Sequence, residues 1–205
     1  MMKILGITGG VGSGKSQTLS YLKAIDGVIV CEADLIGREV QEKDSYCLEA
    51  MSCVFGSDIL EESGALNRRR LGELVFSDEE KLKQLNAIIH PLVRKKIEEL
   101  ILFHKSQGKQ VFVLEAAILL ESNYAEICDE IWYIRRDDKL RMKHLQESRH
   151  YTKELFESIV SRQLTADEFE KGCTKTIDNN GSLKQLYKKI DLEFKQLLGE
   201  AHEIM

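Results

Sequence analysis

Five short apolar runs punctuate the chain: Lys3–Thr8, Val28–Cys31, Gln110–Leu114, Glu130–Ile134 and, more weakly, Thr174–Ile177. They are continuous rather than alternating, as expected of strands covered on both faces. Helical spacing fills most of the gaps. Leu82, Leu85, Ile88 and Ile89 share one helical face, as do Leu92, Val93, Ile97, Leu100 and Ile101; Leu183, Leu186, Tyr187, Ile190 and Phe194 mark a C-terminal helix. Strands alternating with helices predict an α/β fold with a parallel sheet between helical layers. The stretch from Gln41 to Gly108 breaks the alternation and reads as consecutive helices without a clear strand. It forms either a substrate-binding wall or extra helical packing. Pro91 is the only proline, and His90-Pro91 is expected to open a long helix at about Leu92.

Composition narrows the class. A chain of 205 residues, 43% hydrophobic and 31% charged, can bury a core as one domain, with room for a small insertion. A net charge of −5 argues against a broad nucleic-acid surface. The apolar runs are too short to span a bilayer, and the N-terminus passes into the first strand without the pattern of a secretory signal. The five cysteines, Cys31, Cys47, Cys53, Cys128 and Cys173, include no Cys-x-x-Cys pair and are expected to be reduced thiols in a cytoplasmic protein. These features imply neither nucleic-acid nor membrane partners, and they specify no oligomeric state.

Ligands of parallel sheets bind at the carboxyl ends of the strands. The first strand runs into Gly9-Gly10-Val11-Gly12-Ser13-Gly14-Lys15-Ser16, which fits Gly-x-x-x-x-Gly-Lys-Ser/Thr in a strand–loop–helix context. Such a loop turns backbone N–H groups toward phosphate oxygens, and the positive end of the following helix adds to the attraction. Lys15 supplies a cation for the outer phosphates, and the Ser16 hydroxyl can ligate magnesium. After the second strand comes Glu32-Ala33-Asp34, with Arg38 one helical turn on. Asp34 is either a base for an acceptor hydroxyl or the cap of a helix starting at Leu35. Glu115 at the end of the third strand is either part of a magnesium shell or an ordinary strand-end carboxylate. A basic segment from Arg135 through Arg141 and His144 to Arg149 reads as a closing lid or a solvated helix face. Arg68-Arg69-Arg70 forms a second basic cluster. No Asn-Lys-x-Asp guanine signature and no Leu-Ser-Gly-Gly-Gln motif is present.

Together these pieces resemble the dephospho-CoA kinases. The resemblance runs from the first strand to about Gly181 and rests on Ile7-Thr8 with the glycine loop, Glu32-Ala33-Asp34 with Arg38, and Leu66-Asn67-Arg68-Arg69-Arg70-Leu71. It continues through Leu85-Asn86-Ala87-Ile88-Ile89-His90-Pro91, Glu115-Ala116-Ala117, Gln163 and Ile177-Asp178-Asn179-Asn180-Gly181. It implies a P-loop NTPase fold, three-layer α/β/α with five parallel strands, and transfer of the ATP γ-phosphate to the 3′-hydroxyl of dephospho-CoA with Mg2+. The expected division is one kinase domain over 1–205: a core (about 1–40, 109–136 and 164–205), a helical substrate-binding region (about 41–108) and a lid (about 137–163). The resemblance places Gly12, Ser13, Gly14, Lys15, Ser16, Gln17 and Asn179 around ATP, with Asn179 on the adenine side. It places Thr8, Asp34, Arg38, Arg68, His90 and Glu115 around dephospho-CoA. It makes Asp34 the base and leaves the lid arginine as Arg141 or Arg149. Departures from the family pattern are Glu32, Gln17, Ala117, His144 and Cys173-Thr174. From the residues, another small-metabolite or nucleoside kinase and a non-catalytic nucleotide-binding module are the other readings.

Overall fold

In a computed structural model that describes residues 1–76, 78–122 and 124–199, the five apolar runs form one sheet. The strands are β1 (Lys3–Thr8), β2 (Val28–Glu32), β3 (Val111–Glu115), β4 (Glu130–Arg135) and β5 (Lys175–Asp178), in the order β2-β3-β1-β4-β5. Around them run α1 (Lys15–Lys23), α2 (Ala33–Lys43), α3 (Ser45–Phe55), α4 (Arg68–Val75), α5 (Glu79–Ser106), α6 (Asp138–Arg149), α7 (Lys153–Val160), α8 (Ala166–Gly172) and α9 (Leu183–Leu197). Strand β1 lies between β3 and β4 and pairs in parallel with both: Ile7 faces Glu115 on one side and Trp132 on the other. The crossover from β1 runs past β3 to β2, whereas that from β3 runs past β1 to β4, so these two neighbouring strands send the chain in opposite directions, the arrangement that opens a ligand crevice at the carboxyl ends of the strands.

The chain divides into two compact units, Met1–Cys31 with His104–Met205, and Glu32–Phe103. The end of the expected core, 200–205, lies outside the described residues. In the first unit, Leu5, Ile7, Val113, Trp132 and Ile134 pack with Leu22 of α1 and with Leu186, Ile190 and Phe194 of α9. Each such side chain, fully buried, contributes about 1.5–3 kcal/mol. The rings of Tyr21 and Tyr187 stack with centroids 4.1 Å apart, and the Tyr21 hydroxyl donates to Asp191 Oδ1 at 2.7 Å. Helix starts follow the local chemistry: Thr165 with Glu168 and Ser182 with Gln185 form capping boxes at α8 and α9.

The second unit contains α2, α3, α4 and most of α5; apart from the end of β2, its β pairing among the described residues is an isolated bridge between Leu60 and Leu66. One expectation fails here. Helix α5 does not begin at Leu92 but at Glu79, with Pro91 inside it. Proline costs a helix one hydrogen bond and strains the preceding turn. Leu85, Ile89, Val93, Ile97 and Ile101 are buried at four-residue spacing, and this row continues across the proline. Burial of one continuous stripe outweighs the local preference of proline for a helix start. Leu82, expected on the same face, is 43% exposed. Among the described residues no helix is long and apolar enough to cross a membrane.

Candidate active site

The glycine loop joins β1 to α1, as its context requires. Gly14 is the N-cap of α1 in a left-handed conformation (φ 104°), and a Cβ there would lie 2.1 Å from Asn179 Nδ2. Only glycine satisfies both the backbone angle and the contact. Asn179, buried just beyond β5, donates from Nδ2 to Ser13 O (2.8 Å) and from its backbone N–H to Arg135 O (2.8 Å). The residue expected on the adenine side thus ties the loop to the end of the sheet. Its neighbour Asn180 accepts from the Asp137 N–H (2.8 Å) and donates to Asp178 Oδ2 (2.9 Å), which links the strand ends of β4 and β5. Partial burial pushes the Asp178 carboxyl up, but hydrogen bonds from Lys189 and the Asn180 N–H outweigh this and hold it below the usual carboxylate range.

Lys15 Nζ donates to Gly9 O at 2.7 Å and lies 3.9 Å from Glu115 Oε1. Glu115 is the last residue of β3 and is buried, one position beyond the apolar run that suggested the strand. Ser16 is exposed in the first turn of α1, with Gln17 half-buried after it. Two buried hydroxyl oxygens, Thr8 Oγ1 just before the loop and Ser13 Oγ within it, have no hydrogen-bond partner. Buried polar atoms ordinarily find one, so the pair suits a site that receives a polar ligand.

The basic segment after β4 forms α6 and α7. It separates the two candidate arginines. Arg149 is the exposed last residue of α6, whereas Arg141 is buried against the glycine loop. Arg141 donates from Nε to Val11 O (2.8 Å), from Nη1 to Asp138 Oδ1 (2.7 Å) and from Nη2 to Gln163 Oε1 (3.2 Å), with Cζ 5.4 Å from the centre of the Phe156 ring. Gln163 had no role assigned from sequence. A polar side chain in the α7–α8 connection carries no local signal, since its partner Val11 is 152 positions away.

In the second unit, Asp34 is an exposed residue in the first turn of α2. The helix starts at Ala33 with Glu32 as N-cap, so Asp34 is not the cap of a helix beginning at Leu35. A carboxylate in a first helical turn is favoured by the helix dipole and keeps its oxygens outward for other work. Arg68 reaches back to α2, with Nε donating to Glu42 Oε1 (2.9 Å) and Nη2 to Arg38 O (3.3 Å). His90 sits mid-helix in α5, where burial holds its pKa below the usual imidazole value and keeps it neutral at pH 7.

Among the described residues the five cysteines form no disulfide. Burial pushes Cys47 up to about 11 and Cys128 and Cys173 to about 12, which leaves these three protonated and poor nucleophiles.

Comparison with known proteins agrees with the residue pattern. The dephospho-CoA kinase family model matches residues 3–185. The chain is 36% identical over 188 residues to the dephospho-CoA kinase of Fusobacterium nucleatum subsp. nucleatum, covering 92% of this chain and 95% of that one. It is 37% identical over 181 residues to the dephospho-CoA kinase of Corynebacterium diphtheriae, covering 88% and 90%. Among solved structures, the crystal structure of TT1252 from Thermus thermophilus superposes with a TM-score of 0.79 at 27% identity, covering 96% of this chain and 98% of that one. The dephospho-CoA kinase of Campylobacter jejuni shares the fold, with a TM-score of 0.71 at 22% identity over 96% and 98% of the two chains. A family match over residues 3–185 and relatives 36% and 37% identical over most of both chains lead to one conclusion: the chain belongs to the dephospho-CoA kinase family.

Proposed function

We infer that this chain transfers the γ-phosphoryl group of ATP to the 3′-hydroxyl of dephospho-CoA, giving coenzyme A and ADP in the last step of coenzyme A biosynthesis. The observation that carries this reading is the family match over residues 3–185, a range that includes the glycine loop and the residues around it. The ribose oxygen forms a bond to the γ-phosphorus as the bond from that phosphorus to the β–γ bridging oxygen breaks. Asp34 accepts the hydroxyl proton. Lys15 follows the phosphoryl charge, and Arg141, held against the loop, adds a planar cation. Arg38, Arg68, His90, Thr8 and Glu115 serve the acceptor, while Gly12 to Gln17 and Asn179 serve ATP.

Mg2+ fits the donor set. Among the described residues no group of three or more His, Cys, Asp or Glu side chains could hold a metal ion. Ser16, exposed at the start of α1, and Glu115 suit an ion that takes most of its oxygens from phosphates and water. Bound there, magnesium would neutralise charge on the β- and γ-phosphates. In this reading residues 137–163 are the lid, about 41–108 bind the acceptor, and the protein works in the cytoplasm.

A coupled assay tests the reaction: ATP with dephospho-CoA is expected to yield ADP and coenzyme A, and absence of ADP with this acceptor would refute the reading. The tether through Asn179 is tested separately. Asn179→Ala is expected to weaken ATP binding about tenfold by releasing the Ser13 carbonyl and loosening the cradle. Titration with ATP reads the affinity, and an unchanged value would show that the loop holds its shape without Asn179.

A further inference from the structure

We propose that Gln163 is a positioning residue that locks Arg141 to the crown of the phosphate loop. The inference rests on the kinase reading and adds a residue to it. Gln163 is half-buried in the connection between α7 and α8, and its N–H donates to Val160 O at 3.0 Å. Its Oε1 accepts two hydrogen bonds, from the Val11 N–H (3.1 Å) and from Arg141 Nη2 (3.2 Å). Both neighbours are donors, so the side-chain amide has one workable orientation. Arg141 Nε in turn donates to Val11 O at 2.8 Å. Both backbone polar groups of Val11 are therefore held by side chains that follow β4.

The loop is shaped to admit this arrangement. A Cβ at Gly10 would lie 2.4 Å from Arg141 Nη2 and 2.8 Å from Cζ. Gly10 stands at an unrestricted position of the phosphate-loop pattern, so phosphate binding alone does not require glycine there. The guanidinium fills the space that a side chain would take. On its other side, Arg141 and Gln163 line a cavity of about 620 Å³ together with Tyr133, Arg136, Thr165 and Phe169. The guanidinium is buried and also packs over the Phe156 ring, and directional bonds fix where its donors point within that contact. Asp138 supplies one of them from within α6, the Val11 carbonyl supplies a second, and Gln163 adds a third that joins the same guanidinium to the Val11 N–H. A cation fixed before the reaction stabilises developing phosphoryl charge without reorganising. Gln163 does no chemistry in this scheme; it acts through Arg141.

A double-mutant cycle tests the coupling. Gln163→Leu, close in volume and without the acceptor oxygen, is expected to lower kcat about tenfold. In an Arg141→Ala background the same change is expected to cost less than about threefold, because coupled residues are not additive. Gln163→Glu, which keeps the acceptor oxygen, is expected to retain more kcat than Gln163→Leu. Full kcat in Gln163→Leu, or equal costs in the two backgrounds, would overturn the proposal. A purely structural role would lower thermal stability and would add to the Arg141 defect. Should Gln163→Leu fail to fold, Gln163→Met, which also lacks the acceptor oxygen, is put through the same cycle, and equal costs in the two backgrounds would overturn the idea. Should the unaltered protein form no ADP with dephospho-CoA, the kinase reading fails by itself. The same cycle is then read by ATP titration, where non-additive losses support the lock and additive ones overturn it.

Discussion

Lys15→Ala is expected to lower kcat with ATP and dephospho-CoA by about 10²-fold or more, the scale of removing a preorganised electrostatic contact from a phosphoryl-transfer site. The side chain is well placed for the task. Its ammonium rests against Gly9 O at 2.7 Å and 3.9 Å from Glu115 Oε1, with 16% of the side chain exposed. It is already at the loop and needs only to exchange a carbonyl for a phosphate oxygen. Coulombic attraction is stronger there than at an open surface because little water screens it. Comparing ADP formation by the variant and the unaltered protein at saturating substrates checks the prediction. Turnover within about threefold would remove Lys15 from the transfer step.

Asp34→Asn is expected to cost a similar factor, about 10²-fold or more in kcat, while leaving ATP affinity and thermal stability almost unchanged. The structure makes the separation sharp. Asp34 does not cap α2, since that position belongs to Glu32, and its side chain is exposed. Asparagine keeps the size and loses the basic oxygen, so a defect confined to kcat points to proton acceptance. Near-normal turnover by the folded variant would refute the assignment of Asp34 as the base.

Strand positions were legible because buried parallel strands need unbroken apolar runs; β2 and β4 each end one residue beyond the reading, and β3 and β5 are each shifted by one residue. The glycine loop was legible because backbone conformation and phosphate chemistry constrain adjacent residues together. Helix α5 was not, because a local rule about Pro91 competed with a row of buried side chains that becomes decisive only when the unit packs. The partners of Arg141 were not either. Choosing between Arg141 and Arg149 requires knowing which helical turn meets Val11, a contact 130 positions away, and Gln163 enters through the same long-range geometry. The reason for glycine at position 10 was equally hidden, since it lies in a side chain from α6.

The central place of β1 bears on the order in which the molecule can be made. Its ladders are with β3 and β4, whose residues emerge from the ribosome long after the glycine loop. Contacts so distant in sequence form slowly, and the N-terminal strand has no sheet partner of its own until β3 appears. A nascent chain ending before β4 carries the complete phosphate-loop sequence with one side of its supporting strand unpaired and with neither Arg141 nor Asn179 in place. Nucleotide capture therefore belongs to a late stage of synthesis, when the C-terminal strands have closed around the first one.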